Sequence, residues 1–249
     1  MRLIRKLFGA VFLLYGLVMF FGVMLLVFPF IILSSFIGGK AGARISFFFL
    51  RTWSFLIMLL CVYPIIIRRN KKVDPKKSYI YVSNHNSYLD SPSVVLAIPS
   101  VFKPLGKIEM TKIPVFGSIY KRVVVLIDRS SKESRAQSVE NLKTALYGGT
   151  SILIFPEGTM NTDEELPVKE FYDGAFRIAI ETQTPIAPFV IINARKLLPR
   201  KRPLLIRPGL VRVYFADPVT VEGYTQEQLP ELKEKVHEVM RQLILQHQN

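Results

Sequence analysis

The sequence predicts an α/β fold with a largely parallel central sheet flanked by helices, preceded by an N-terminal membrane-embedded two-helix segment. Two observations lead to this fold class. From about residue 78, apolar strand-like runs alternate with helix-like stretches, which is the pattern of α/β domains. Before that point, two long stretches are almost entirely apolar. We therefore expect a membrane-anchoring helical hairpin over residues 1–72 and an α/β domain over residues 73–249.

The first apolar run lies between Lys6 and Lys40 and contains no charged residue. It exceeds the roughly 20 residues that cross a bilayer as a helix. It is also much longer than the apolar region of a secretory signal peptide, which has about 7–15 residues. We therefore expect a membrane helix and not a cleaved signal.

The second apolar run extends from Ile45 to Ile67 and includes Trp53 and Tyr63, residue types that favour the membrane interface. It is interrupted by Arg51, and a cation near the centre of a bilayer costs about 3 kcal/mol. A pair of helices sunk into one leaflet is therefore slightly favoured over a spanning hairpin, which stays open.

Basic charge is concentrated around these apolar runs. The chain has a formal net charge of +14, and residues 1–77 hold twelve Lys or Arg against the single acid Asp74. This placement favours membrane phospholipids as partners, and no nucleic-acid-binding signature accompanies it, so we expect no nucleic acid partner. More cations lie outside the two runs than between them. Because cytoplasmic flanks of membrane helices are rich in Lys and Arg, we expect both ends of the hairpin on the cytoplasmic side. This predicts the cytoplasmic (inner) membrane, with the α/β domain on its cytoplasmic face. The flanking cations are Arg2, Arg5, Lys6, Arg68, Arg69, Lys71 and Lys72, and those between are Lys40 and Arg44.

Five strands are predicted in the α/β domain, at residues 79–83, 123–127, 151–155, 186–192 and 211–215. Residues 130–133 form a capping box ahead of an apolar stripe at helical spacing. A last helix over about residues 225–246 has one apolar face, and we expect its His237, and the nearby His247, to be solvated and not catalytic.

The most informative motif is Asn84-His85-Asn86-Ser87-Tyr88-Leu89-Asp90, directly after the first of these strands. A histidine held by a carboxylate can take a proton from a hydroxyl group. On a continuous helix the His85 and Asp90 side chains would lie about 140° apart, so they meet only if the chain turns between them. The alternative is a surface histidine, with Asp90 as an ordinary helix N-cap ahead of Ser91-Pro92.

Two further segments follow predicted strands. Asp128-Arg129 comes after 123–127, and Glu157-Gly158-Thr159 comes after 151–155. Because the carboxyl ends of parallel strands meet at one edge of the sheet, where ligands bind, we expect both segments to converge with His85. This convergence favours the catalytic interpretation of His85 and Asp90.

Four blocks now stand in order along the chain: Asn84-His85-x4-Asp90; Lys107-x6-Pro114-x2-Gly117 leading to Ile127-Asp128-Arg129; Phe155-Pro156-Glu157-Gly158-Thr159; and Pro185-Ile186-Ala187-Pro188. Over about residues 75–195 they resemble the glycerolipid acyltransferases of the 1-acyl-glycerol-3-phosphate acyltransferase type. The resemblance implies transfer of an acyl group from a thioester of acyl carrier protein or coenzyme A to the 2-hydroxyl of lysophosphatidate, giving phosphatidate.

The resemblance also implies roles for these blocks. His85 would be the general base and Asp90 its orienting partner. Residues 155–159, with the basic residue of the second block, would bind the phosphate of the acceptor, and residues 185–188 would help to shape the acyl-donor side. Since the chain shows no Cys/His cluster or acidic pair at metal spacing, we expect no metal and no cofactor.

Two positions depart from the family pattern. Met160 stands where Arg usually follows the Thr, and Asp173 stands where a basic residue often precedes Gly-Ala-Phe. Lys107 and Arg129 are therefore the predicted phosphate ligands, Arg129 because its guanidinium pairs with two phosphate oxygens at once. Structural ion pairing is the alternative for both.

The third block has several possible roles. Glu157 is expected either to hydrogen-bond the glycerol or to hold the loop in shape. Gly158 is expected to serve the backbone conformation. A backbone amide of Gly158 or Thr159 would face the phosphate.

Other functions stay open. The same chemistry on another lysolipid or on glycerol 3-phosphate is one, and a non-catalytic membrane-bound lipid-binding protein is another, which the intact His85 and Asp90 disfavour. Direct transfer is preferred to a covalent acyl-enzyme because the chain has no Gly-x-Ser-x-Gly elbow.

A basic segment without acids lies between Glu181 and Asp217, and leucines and an isoleucine are interleaved with its cations. We expect it to lie on the membrane surface or to dock an acidic carrier protein, the alternative being a solvated basic loop. Its cations are Arg195, Lys196, Arg200, Lys201, Arg202, Arg207 and Arg212.

Overall fold

The computed structural model describes residues 2–248. Its α-helices are α1 (Arg2–Ile37), α2 (Gly39–Leu60), α3 (Asp90–Ala97), α4 (Phe116–Val123), α5 (Lys132–Tyr147), α6 (Gly174–Thr182), α7 (Ala194–Leu197) and α8 (Leu229–His247). Its strands are β1 (Ile65–Arg68), β2 (Ile80–Ser83), β3 (Phe102–Lys107), β4 (Val125–Ile127), β5 (Ser151–Ile154), β6 (Ile186–Ile192) and β7 (Val211–Phe215). Short 3-10 helices occupy Ile108–Lys112, Pro203–Leu205 and Gln226–Gln228.

The strands follow the order β1-β7-β6-β2-β5-β3-β4. The β6–β2, β2–β5, β5–β3 and β3–β4 pairs are parallel. Every residue of β2, β5 and β6 is buried, as expected for parallel strands covered on both faces. The predicted α/β fold with a largely parallel sheet flanked by helices is therefore confirmed.

The chain comprises two compact units. The first contains residues up to Ile67 together with 86–98 and 191–213, and the second contains 68–85, 99–190 and 214 onward. The predicted division at residue 72, into an anchoring hairpin and an α/β domain, stays a prediction. Met1 and Asn249, at the ends of those predicted domains, lie outside the described residues.

In the first unit, α1 and α2 pack against each other along one side. The Trp53 indole N–H donates to the Phe20 carbonyl at 3.3 Å, and the two rings meet edge to face. The hydroxyls of Ser34 and Ser46 are 2.7 Å apart, and the Tyr15 hydroxyl donates to the Leu60 carbonyl. These contacts fix the pairing of two helices whose sequences are otherwise almost uniformly apolar.

The remaining surface of α1 is apolar and exposed. In the most apolar 18-residue stretch of α1, only 22% is buried inside the protein. Leu3 and Phe36, near the two ends of the helix, are 80% and 79% exposed. Both helices are long and apolar enough to cross a membrane by length and composition. An exposed apolar surface of this extent indicates association with a membrane.

Arg51, the charged residue of the second apolar run, has a structural partner. Its guanidinium donates to the Ile98 carbonyl at 3.0 Å, just after α3 ends. The run itself is not one helix, because α2 ends at Leu60 and β1 begins at Ile65. Hydropathy could not separate the two elements, since both are apolar.

In the second unit, α8 buries the predicted apolar face through Leu229, Leu232, Val236, Met240 and Ile244. Two expectations nearby are corrected. His237 packs edge-on against Phe171, and His247 stacks on Tyr214, so neither side chain is simply solvated.

The cap of α5 lies one residue later than the sequence predicts. The Ser130 hydroxyl donates to the Asp128 carboxylate and is thereby engaged. Ser131 is consequently the N-cap, and its hydroxyl oxygen accepts the Ser134 N–H at 3.0 Å.

Gly106 in β3 gives a test of packing in the second unit. An added Cβ would clash with the Tyr120 hydroxyl and would lie 2.8 Å from Val124 Cγ1. Burial raises the pKa of Tyr120 to about 12, so its phenol stays neutral at physiological pH. We expect Gly106→Ala to lower the free energy of unfolding by about 1–3 kcal/mol, which corresponds to a drop of about 2–12 °C in the thermal midpoint.

The matched control is Gly174→Ala, because an added Cβ there meets nothing within 4 Å. Adding Tyr120→Phe to Gly106→Ala removes the clashing hydroxyl and should restore part of the loss. Equal midpoints for Gly106→Ala and Gly174→Ala would contradict this packing.

Candidate active site

His85 lies two residues beyond the end of β2 and is half-buried. Its imidazole stacks on the ring of Phe155, with centroids 4.2 Å apart and the planes inclined by 19°. Phe155 follows β5 directly, and β2 and β5 are parallel neighbours in which Val82 pairs with Ile154. The strand pairing thus brings the two rings together at the carboxyl ends of adjacent strands, as the sequence predicts for this edge.

The backbone of His85 is held from both sides by the loop that follows β5. Glu157 Oε1 accepts the His85 N–H at 2.7 Å, and the Asn161 N–H donates to the His85 carbonyl at 2.6 Å. Glu157 and Asn161 are each 1% exposed. Hydrogen bonds to a buried carboxylate are the stronger kind, so they restrict where the imidazole can lie.

The second oxygen of Glu157 serves another segment. Oε2 accepts the N–H of Lys169 at 2.9 Å. One buried carboxylate therefore joins the β2 end to residue 169 through two backbone amides. Of the two roles that the sequence leaves open for Glu157, these contacts correspond to holding the loop in shape.

Gly158 adopts a left-handed conformation, with φ of +68°. An added Cβ would lie 2.7 Å from Cε2 of Tyr172. Both the positive φ and the lack of room for a Cβ atom require glycine at position 158. The Gly158 carbonyl accepts a hydrogen bond from Nη1 of the exposed Arg129, two residues past β4.

A cation that sequence reasoning missed lies at the next residue. The Lys169 ammonium donates to the Thr159 hydroxyl at 3.1 Å. Lys169 belongs to no recognisable motif, and only the fold of the 160–169 loop returns it to Thr159. Arg129 and Lys169 form no ion pair with any carboxylate of residues 2–248, so two unneutralised cations border the turn Glu157-Gly158-Thr159.

Asp128 does not neutralise Arg129, because its own loop engages it. The Ser130 hydroxyl and backbone N–H donate to its carboxylate at 2.6 and 2.9 Å, and these bonds lower the pKa of Asp128. The Arg129 carbonyl in turn accepts a hydrogen bond from the Arg135 guanidinium. The β4–α5 loop is thereby ordered.

Lys107 is the last residue of β3 and is exposed. In the parallel β3–β4 pair it is opposite Ile127, two residues before Arg129. Its side chain makes no hydrogen bond or ion pair within the described part of the chain, in contrast to Arg129, which contacts Gly158 directly.

Asp90 belongs to the first unit and is completely buried. Its Oδ2 accepts the backbone N–H groups of Asn86 and Ser87, at 2.7 and 2.9 Å. It is the first residue of α3, while Leu89 is the N-cap, so the interpretation of Asp90 as an ordinary N-cap is wrong. The chain turns between the end of β2 at Ser83 and the start of α3 at Asp90, so His85 and Asp90 do not lie on one continuous helix.

Within residues 2–248, no group of three or more His, Cys, Asp or Glu is placed to hold a metal ion.

Comparison with known proteins gives a consistent set of relatives. A 1-acyl-sn-glycerol-3-phosphate acyltransferase alpha from Mus musculus is 32% identical over 170 residues, which are 67% of this chain and 58% of the relative. The 1-acyl-sn-glycerol-3-phosphate acyltransferase of Cocos nucifera is 32% identical over 165 residues, or 64% of this chain and 51% of the relative. The chain thus spans between about half and two thirds of the length of these curated relatives.

A solved structure shares the fold along almost the whole chain. It is the crystal structure of the 1-acyl-sn-glycerophosphate (LPA) acyltransferase PlsC from Thermotoga maritima, with a TM-score of 0.78 and 22% identity. The superposition covers 99% of this chain and 97% of that one. At this identity the likeness establishes the fold.

Membership of a family is shown by a match of the sequence to a family model. The family model described as Acyltransferase matches residues 64–192, just over half of the chain and all four blocks identified above. The chain therefore belongs to the acyltransferase family.

Proposed function

We propose that the protein transfers a fatty acyl group from an acyl thioester to the 2-hydroxyl of 1-acyl-sn-glycerol 3-phosphate, which gives phosphatidate for phospholipid synthesis. The observation that carries the proposal is the arrangement around Glu157. This residue fixes the backbone of a histidine at a strand end, and the turn that it begins is bordered by two cations that pair with no carboxylate of residues 2–248. A base beside an anion site suits a phosphorylated alcohol.

In this proposal His85 is the general base. Its imidazole takes the proton from the acceptor hydroxyl as that oxygen attacks the thioester carbonyl carbon. The tetrahedral intermediate then collapses, the C–S bond breaks, and the imidazolium returns the proton to the leaving thiolate. The acyl group passes directly to the acceptor, without a covalent acyl-enzyme.

Asp90 orients His85 in the proposal. A carboxylate beside an imidazole fixes its tautomer and stabilises the imidazolium that forms during transfer. What supports this role is that the Asp90 carboxylate is buried and is itself held by two backbone amides of the loop that leaves His85. An exposed carboxylate could not hold an imidazole in one orientation as firmly.

The acceptor phosphate binds at the turn 157–159. Arg129 supplies a planar fork of donors and Lys169 a compact point charge. Lys107 contributes a third cation from the end of β3. Lys169 supplies the charge that the family pattern usually places directly after the Thr, where this chain has Met160.

The proposed location is the cytoplasmic face of the cytoplasmic membrane. The cations that flank α1 and α2 support this orientation by the positive-inside rule. The partners are then membrane phospholipids, lysophosphatidate, and an acyl thioester of either acyl carrier protein or coenzyme A. Residues 1–72 would serve as the anchor, and residues 73–249 would carry the chemistry without a cofactor.

One observation favours a second acceptor. Because Met160 replaces the usual cation, the phosphate site of this chain differs from the family pattern. Another lysolipid or glycerol 3-phosphate is therefore the alternative acceptor.

The function is tested by acyl transfer with purified protein in detergent. Acyl carrier protein and coenzyme A thioesters are offered against lysophosphatidate, glycerol 3-phosphate and a neutral monoacylglycerol. We expect phosphatidate from lysophosphatidate, and we expect His85→Ala to lower turnover by about 10²–10⁴-fold, the usual contribution of a general base.

His247→Ala is the matched control, because this histidine lies at the end of α8 and stacks on Tyr214. Equal turnover in His85→Ala and the unaltered protein would contradict the general-base role. Absence of product from every acceptor would instead favour a non-catalytic lipid-binding protein.

The phosphate site is tested by Arg129→Gln and Lys169→Met. A hydrogen bond to a charged group contributes about 1.5–3 kcal/mol, so each substitution should raise KM for lysophosphatidate by about 10–100-fold. The rate with a neutral monoacylglycerol should change little, because that acceptor has no phosphate to lose.

Lys132→Met is the control for the loss of one charge, since Lys132 is an exposed residue in the first turn of α5. If Lys169→Met raises KM for the neutral acceptor as strongly as for lysophosphatidate, Lys169 does not bind phosphate.

A further inference from the structure

The segment 199–207 lies against α1 in the first unit. It contains the 3-10 helix Pro203–Leu205, and its backbone touches that of Gly9 in α1. An added Cβ on Gly9 would lie 2.7 Å from the Leu204 carbonyl carbon. Only glycine permits so close an approach, so the segment is fixed at the N-terminal part of α1.

Three cations of this segment project from the protein without partners. Arg200, Lys201 and Arg207 are exposed, and their side chains make no hydrogen bond or ion pair to another residue of 2–248. We call these three residues the basic collar. They are distinct from Arg195, Lys196, Arg202 and Arg212, which have contacts within the protein.

The first unit, to which the basic collar belongs, contains almost no negative charge. The ranges that form the first unit contain thirteen Lys or Arg and a single acid, Asp90, which is completely buried. No carboxylate on the surface of this unit can therefore neutralise the basic collar. A counter-charge has to come from outside the unit.

The basic collar also adjoins an exposed apolar surface. In the turns of α1 around Gly9, Leu7, Phe8 and Val11 are 66%, 54% and 63% exposed. Leu204, on the collar segment itself, is 40% exposed. Exposed apolar side chains next to cations are the composition of a surface that lies in the interfacial layer of a membrane, with anionic headgroups at the cations.

We propose that the basic collar binds the phosphates of anionic phospholipid headgroups and gives the protein a preference for anionic membranes. The apolar surface of α1 contributes membrane affinity that does not depend on headgroup charge. The basic collar contributes the electrostatic affinity that distinguishes anionic from neutral headgroups. This function is separate from acyl transfer and does not depend on the acceptor. The continuity of the basic collar with the apolar surface favours a membrane over an acidic carrier protein.

The test is a competition between two vesicle populations for the protein, which is diluted out of detergent. One population is phosphatidylcholine, the other phosphatidylcholine with phosphatidylglycerol, and each carries its own fluorophore for separation after flotation. The variant is Arg200→Gln/Lys201→Gln/Arg207→Gln. Each cation near an anionic surface contributes roughly a five-fold factor, so the preference for the anionic population should fall roughly 100-fold.

The matched control is Lys76→Gln/Lys132→Gln/Lys235→Gln. These lysines are exposed, lie outside the first unit, and change the net charge by the same three units. The control should keep the preference of the unaltered protein, and that preference should fall as salt is raised, whereas the preference of the collar variant should depend on salt less steeply.

Either of two results would overturn the proposal: an unchanged preference in the collar variant, or an equal loss of preference in the control. If the preference is unchanged and the collar variant transfers more slowly from acyl carrier protein thioesters but not from coenzyme A thioesters, the basic collar serves carrier docking instead. Equal thermal midpoints for both variants verify that folding is unaffected.

Discussion

The candidate site depends on one buried carboxylate, that of Glu157. Its two oxygens accept the backbone amides of His85 and Lys169, which belong to segments that the chain order keeps far apart. A buried carboxylate that lost these donors would pay a large desolvation penalty, so the two segments are bound to it firmly. Glu157 therefore positions the proposed base and the missed cation Lys169 together, and the Asn161 amide completes the hold on His85.

Much of the fold could be predicted because its signals are local. The runs of β-branched residues gave β2, β5, β6 and β7 nearly to the residue, and strand ends located His85 and Glu157. β1 was missed because it continues an apolar helix, and β3 because Pro104 and Gly106 weaken its strand pattern. The hydrogen bond between Glu157 and His85 joins residues 72 positions apart, and the return of Lys169 to Thr159 depends on a loop without regular structure. Neither of these two contacts leaves a periodic residue pattern from which it could be predicted.

The chemistry of each unit suits an amphiphilic substrate. The second unit combines a fixed histidine with cations at a glycine turn, which favours a phosphorylated alcohol. The first unit combines an exposed apolar helix with the basic collar, whose three cations pair with no carboxylate of residues 2–248, and this combination favours a lipid membrane. An enzyme that acylates a lysolipid needs both properties, because its acceptor and its product are held in the bilayer.

The most direct measurement is the rate of acyl transfer to lysophosphatidate by His85→Ala, by Asp90→Asn and by the double variant. Asparagine keeps an oxygen for the amides of Asn86 and Ser87 but removes the charge. If Asp90 acts only through His85, the double variant will be no slower than His85→Ala alone, since residues that act as one unit are not additive. Wild-type turnover in Asp90→Asn, or losses that multiply in the double variant, would contradict the proposed base and its orienting carboxylate.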